Sequence, residues 1–218
     1  MAHIRVVTGH DRYADPWHPF EETSAAVSEI LAAQGHGVDV QLDEPAALTG
    51  LRHVDLVVVN LGGNPEVNLA PDARWSAAQA EFGAWIREGG RVLGLHTASN
   101  AFPDWPEWPA LLGGQWIRGS SWHPKRSVAT FEPCPETVGH PIWAGCVPVS
   151  CYDERYSGLE VHPTSVPLVR HELSEHWEVM GWLNGDNVIY DGMGHNARSY
   201  SSPSRARFLV NEVDWLLG

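Results

Sequence analysis

Through its first hundred residues the chain alternates short apolar runs with stretches whose apolar residues recur at helical spacing. Residues 3–9 (HIRVVTG) read as a strand. Residues 20–35 (FEETSAAVSEILAAQG) put Val27, Ile30 and Leu31 on one helical face, with Gly35 and Gly37 as the stop. Residues 36–42 (HGVDVQL) predict a second strand. Residues 54–60 (VDLVVVN) are almost continuously apolar, as a central parallel strand covered on both faces requires. Residues 71–90 predict a helix, with Pro71 in its first turn and Gly89-Gly90 at its end. Trp75, Ala78, Phe82, Trp85 and Ile86 form its stripe. A fourth strand follows at 91–96 (RVLGLH). This order predicts an α/β fold: a doubly wound, mostly parallel sheet with helices on both faces.

The second half is less regular. Residues 101–125 are rich in Pro, Trp and Gly and predict a long loop with short helical pieces. Residues 127–133 read as a strand, and Asn184-Gly185-Asp186 lies between two strand-like runs as a hairpin turn. The closing helix has Ser202 as its cap, Pro203 at its first position and a buried stripe of Phe208, Leu209, Val213 and Leu216. The chain has no internal repeat, low-complexity tract or linker. The reading is a single domain over residues 1–218 with a loop-rich C-terminal half.

Composition narrows the partners. A formal net charge of −13 argues against nucleic acid and anionic membranes and leaves a small neutral ligand. No apolar run reaches the roughly 20 residues of a membrane helix, and the N-terminus enters a strand without a basic and then apolar leader, so a cytoplasmic protein is expected. Cys134, Cys146 and Cys151 have neither metal-type nor redox-type spacing and read as free thiols. The 12 histidines and 11 tryptophans stand out. Histidine suits metal binding or proton transfer, and tryptophan offers flat faces for a core or for a sugar ring.

In open α/β sheets ligands bind beyond the carboxyl ends of the strands. After the first strand come Gly9-His10-Asp11 and later His18, and after the third Asn60, Gly62 and Gly63. His96, Thr97 and Ser99 follow the fourth, and Asp191, Gly192, Gly194 and His195 follow the hairpin. A rim site is expected there. In CYDERY (151–156) strand alternation would turn only one of Asp153 and Glu154 toward that site, leaving the other solvated or paired with Arg155 or Arg170. GLHTA (94–98) has the small-x-nucleophile-x-small shape of a nucleophile elbow, with histidine in the nucleophile's place. HExxH, P-loop and GxGxxG motifs are missing, so no nucleotide cofactor is expected.

Together with GLHTA, several further pieces occur in a telling order over residues 90–218. They are Trp105, LLGGQW (111–116), HP (123–124), GHPIWAG (139–145), YDERY (152–156), Trp182, GMGH (192–195) and the terminal VDWLLG. The chain resembles the ThuA-like (trehalose-utilisation) family of the class I glutamine amidotransferase-like superfamily. The resemblance implies a flavodoxin-like fold in which His96 replaces the amidotransferase cysteine. It implies a role in disaccharide catabolism, in particular on sugars oxidised at the 3-position, and makes His96, His123, Glu154 and His195 the functional groups. The acidic pair departs from the family's D-E-L-Y pattern, because Arg155 adds a positive charge.

The expectation is therefore an enzyme acting on a 3-keto sugar derivative by elimination, hydrolysis or isomerisation. His96, Glu154 and His195 are the candidate catalytic residues, and Asn60, Thr97, Trp105, Trp116 and His18 the candidate substrate-binding ones. His96, His123 and His195 are candidate ligands of a divalent metal such as zinc. The expected partner is a small carbohydrate, and a homo-oligomer is compatible with the chain. The alternative is a non-catalytic binding or regulatory module of the same fold. An amidotransferase is not expected, since no cysteine lies at the elbow.

Overall fold

The apolar run at the centre of the first half is β3 (Leu56–Asn60), every residue of which is buried. In this computed structural model, which describes residues 1–64 and 67–218, β3 pairs in parallel with β1 (His3–Thr8) and β4 (Val92–Leu95). β1 also pairs in parallel with β2 (Gly37–Leu42). Between the strands run α1 (Phe20–Ala33) and α2 (Ala73–Arg87).

Alternation along the strands divides the core in two. Ile4 and Val6 of β1 and Leu56 and Val58 of β3 join Val27 and Leu31 of α1 in one cluster. Val7, Val57 and Val59 join Trp75, Ala78 and Phe82 of α2 in the other. Helices thus cover both faces, as the patterning predicts. Helix α2 begins one turn position later than the sequence suggests. Asp72 caps it through a side-chain bond from the Arg74 N–H, so Pro71 lies ahead of the helix.

The segment read as a long loop contains α3 (Trp108–Leu112) and a short strand, β5 (Gly114–Gln115). Then follow β6 (Ser127–Pro133), β7 (Val149–Asp153), β8 (Glu160–Val161), β9 (Val166–Leu173), β10 (His176–Asn184) and β11 (Val188–Asp191). The chain ends in α4 (Ala197–Tyr200) and α5 (Pro203–Leu217), whose Phe208, Leu209 and Val213 join the α1 side of the core. Among the described residues the main sheet has nine strands in the order β2-β1-β3-β4-β11-β10-β9-β6-β7, and β5 pairs with β8. β10 and β11 form the expected hairpin, with Gly185 at φ +65° in its turn. No helix among the described residues is long and apolar enough to cross a membrane.

The placement of β11 builds the rim. It inserts beside β4, parallel to it, so β1, β3, β4 and β11 all end on one side of the sheet. The four antiparallel pairings from β11 out to β7 give β7 the same direction, so Asp153 also ends on that side.

Candidate functional site

At the end of β4 the backbone turns sharply at His96, which sits at φ +45°. That left-handed conformation is uncommon outside glycine, and histidine is among the residues that tolerate it best. The turn is close-packed, since a Cβ at Gly94 would come within 2.7 Å of Leu112. The His96 ring is 2 % exposed and both nitrogens are engaged. Nδ1–H donates to the Gly192 carbonyl at 2.6 Å, which leaves the lone pair on Nε2. Nε2 accepts from the Tyr156 hydroxyl at 2.8 Å and lies 3.4 Å from a Glu154 carboxylate oxygen, Oε2.

Glu154 follows β7 and is buried. Its Oε1 lies 3.2 Å from His195 Nδ1 and 3.6 Å from His123 Nδ1. His18 arrives from the loop after β1. Its Nδ1 donates to the buried carboxylate of Asp15 at 2.8 Å, which leaves Nε2 as the free lone pair, and its ring centre lies 4.6 Å from that of His195. One ligand atom from each of His18, His96, Glu154 and His195 falls within a span of 4.8 Å, so the cluster could hold a metal ion.

Unsatisfied atoms support that fit. His18 Nε2, Glu154 Oε2 and both nitrogens of His195 are buried without a hydrogen-bond partner. Buried polar atoms left unpaired are costly, and a group of them gathered in one place is open to an electrophile. Three imidazoles and one carboxylate are a suitable donor set for a borderline divalent ion, and the Asp15–His18 pair is the carboxylate–histidine arrangement that fixes a metal-binding tautomer.

The charges agree. Burial pushes the His18 pKa down against its bond to Asp15, so the ring is held neutral. Burial also acts to lower the His96 pKa, but the Glu154 carboxylate beside Nε2 and the nearby Asp153 reverse the effect and raise it. For Glu154, burial favours the acid, yet the His195 and His96 imidazoles close to its oxygens hold it well below the ordinary carboxylate range. Tyr156 is pushed upward by burial and by the Glu154 charge, so its hydroxyl keeps its proton and donates.

Above the cluster opens a pocket of about 480 Å³. Trp17, Trp116, Asn100 and Arg126 line it, with His123 and Tyr156 beside the carboxylate. Of the expected residues, His96, Glu154 and His195 converge, and Thr97, Trp116 and His18 face the same space. Three expectations change. His18 rather than His123 completes the four-residue cluster; His123 is on a loop, its side chain 39 % exposed, with Nδ1 also 3.0 Å from the Pro124 carbonyl. Asn60 does not line the pocket, because its amide donates to Thr23 Oγ1, Ser24 Oγ and the Phe20 carbonyl and so holds α1 against β3. Trp105 lies in an aromatic cluster with Phe82, Phe102 and Trp108.

The acidic pair differs too. β7 ends at Asp153, so Glu154 leaves the strand and no alternation separates the two; both are buried. Asp153 pairs with neither Arg155 nor Arg170. It accepts from the backbone N–H groups of Glu154, Gly194 and His195 and from the Ser199 hydroxyl. Sequence reading misplaced Asp153 and missed Asp15 and Tyr156. The only local signals were the three-residue spacing of Asp15 to His18 and the two-residue spacing of Glu154 to Tyr156. The three cysteines are buried away from the elbow, with burial pushing the Cys134 and Cys151 thiols up to about 12.

Solved structures share this architecture. A ThuA-like protein from Parabacteroides merdae superposes with a TM-score of 0.77 at 16% identity, covering 99% of this chain and 90% of that one. One from Bacteroides uniformis gives 0.74 at 16% identity, with 98% and 90% covered. A glutamine amidotransferase from Methylobacillus flagellatus gives 0.53 at 12% identity, with 89% and 70% covered. At such identities the likeness shows the fold, which is flavodoxin-like and of the class I glutamine amidotransferase type. A comparison with curated proteins returned no match. The family model described as ThuA, trehalose utilisation, matches residues 5–216, and over that span, nearly its whole length, the chain belongs to the ThuA family, whose description gives it a carbohydrate-related role.

Proposed function

We propose that the protein is an enzyme that acts on a 3-keto sugar or glycoside by acid/base chemistry, with a divalent ion such as zinc held by His18, His96, Glu154 and His195. The observation that carries the reading is the cluster of buried, unpaired donor atoms at the floor of a pocket walled by tryptophans. Bound there, a divalent ion would polarise the substrate carbonyl.

The chain's own residues supply the rest. A carbonyl acidifies the adjacent C–H bonds, and Glu154, ionised at the pocket, is the acceptor of that proton by its place, the surrounding histidines lowering its basicity. Glu154 Oε1 faces the pocket side of the cluster, and His123, 3.6 Å away and half exposed, leads from it to solvent. Tyr156 retains its proton and presents a hydroxyl donor beside His96. Trp116 and Trp17 offer flat faces to a sugar ring, and Arg126 and Asn100 offer donors to its hydroxyls. Elimination, hydrolysis and isomerisation of a keto sugar share this first proton transfer.

The test is to strip the protein with chelator, reload it with Zn²⁺, Co²⁺ or Mn²⁺, and incubate it with 3-keto glycosides in D₂O. Metal-dependent deuterium exchange beside the carbonyl, followed by product, is expected. Stoichiometric metal without exchange would leave a binding module, and absence of both would remove the reading altogether.

A further inference from the structure

The carboxylate of Asp153 is 1 % exposed and touches no part of the pocket. All of its close partners are donors. Oδ1 accepts from Glu154 N at 2.9 Å and His195 N at 3.1 Å. Oδ2 accepts from Gly194 N at 2.8 Å and from Ser199 Oγ at 2.5 Å. One ion therefore ties the end of β7 to the segment between β11 and α4. The two segments are remote in sequence, and each carries one member of the cluster.

That tie meets a backbone with little support of its own. Gly194 sits at φ +122°, and a Cβ there would run into the Tyr200 hydroxyl. His195 has no side-chain hydrogen bond to hold its ring. What fixes the distance between His195 Nδ1 and Glu154 Oε1 is the backbone of both residues, and Asp153 Oδ1 receives an N–H from each.

We propose that Asp153 is a positioning residue: by clamping the His195 and Glu154 backbones together through one carboxylate, it sets the separation of their side chains and so the geometry of the metal-binding cluster. Only the Co²⁺ arms of the test, affinity and spectrum, rest on the metal reading above. An amide cannot replace the carboxylate, because its NH₂ would confront N–H or O–H donors.

The experiment compares wild type, Asp153→Asn and Ser199→Ala. Co²⁺ affinity is read by competition with a chromophoric chelator, coordination by the visible d–d spectrum, and folding by thermal melting. Outer partners of metal ligands typically govern about 10–100-fold in affinity. Asp153→Asn is expected to weaken Co²⁺ binding by about that factor and to change the d–d band while remaining folded. Asp153→Glu, one methylene longer, is expected not to rescue it. A folded Asp153→Asn protein with wild-type affinity and spectrum overturns the proposal.

Should Asp153→Asn not fold, Ser199→Ala carries the test. Loss of one donor to Oδ2 is expected to weaken Co²⁺ binding by about tenfold or less in a protein whose melting temperature falls but which still unfolds cooperatively, and unaltered affinity in that variant overturns the clamp. If wild type takes up no Co²⁺, the metal reading fails by itself. A crystal structure of the metal-free Asp153→Asn or Ser199→Ala protein then decides. Displacement of His195 Nδ1 from its 3.2 Å approach to Glu154 supports the clamp, and retention of that distance removes it.

Discussion

Replacing Arg205 by Met should destabilise the protein in a way that grows with pH. Arg205, Asp191 and Glu212 have side chains with zero exposure. Arg205 Nη2 lies 2.6 Å from Asp191 Oδ2, whereas Nη1 is 3.9 Å from Glu212 Oε2. One buried cation cannot balance two buried anions, so one carboxyl keeps its proton. Glu212 is that group, its pKa driven well above the ordinary value by burial and by the Asp191 charge. A proton bound in the folded chain and released on unfolding contributes stability at low pH that is lost as pH rises above the unfolded carboxyl value. In wild type Asp191 is raised as well, burial outweighing the Arg205 charge that draws it down. Removing the guanidinium raises Asp191 further and adds a pH dependence of up to about 1.4 kcal/mol for each pH unit. Breaking a buried pair costs about 3–5 kcal/mol at neutral pH, and two pH units of lost slope return about 3 kcal/mol of it near pH 5. For a chain of this length that is a fall in melting temperature of about 6–20 °C near pH 7. The assay is urea and thermal unfolding at about pH 5 and pH 7 for wild type and Arg205→Met. Equal destabilisation at the two pH values, or a loss under about 1 kcal/mol at the higher one, would refute the charge assignment.

Three further outcomes are expected. Asp15→Asn should weaken Zn²⁺ binding about tenfold, because Asp15 fixes the His18 tautomer that points Nε2 into the cluster; titration calorimetry checks this, and unchanged affinity would remove His18 as a ligand. Trp116→Ala should raise KM for a keto glycoside about five- to twentyfold with kcat held within about twofold, since its ring lines the pocket beside Tyr156 and touches no cluster atom; steady-state kinetics with a large kcat loss would count against a binding role. Changing Cys134, Cys146 and Cys151 together to Ala should leave turnover largely intact while costing about 1 kcal/mol of packing at each buried site; loss of turnover in a folded variant would return a cysteine to the mechanism.

The parallel half of the fold was legible because it depends on local periodicity. The run at 56–60 and the stripe of α2 each declare their burial without reference to distant residues. The rim was legible for the same reason, since strand ends are where an open α/β sheet gathers polar groups, and His96 and His195 follow β4 and β11. What sequence could not show was distance across loops. His18 lies 78 positions before His96, and its tautomer is set by Asp15 within its own loop. His123 carries the stronger motif and yet stays at the mouth. Asn60 has the position of a ligand-binding residue, but two hydroxyls of α1 claim its amide. Asp153 was misread because one assumption, that the strand continued through Glu154, placed the pair on opposite faces.

These differences bear on what the elbow at His96 does. A cysteine or serine at such a turn projects one short nucleophilic atom from the rim. An imidazole reaches further and has two ends. Here the near end donates to the Gly192 carbonyl, within the loop that also carries His195, and the far end accepts from the Tyr156 hydroxyl at the edge of the cluster. The strained turn, at φ +45°, is thus secured by a partner that a thiol could not reach at the same time. Asp191 at the end of β11 accepts the Met193 N–H, and Asp153 accepts those of Gly194 and His195, so the loop facing His96 is anchored on both sides. A side chain packed among three other polar groups in a buried cluster keeps its place only if its neighbours are held as firmly as itself. Asp153 and Asp191, buried beneath a pocket they do not line, hold that loop through its backbone N–H groups.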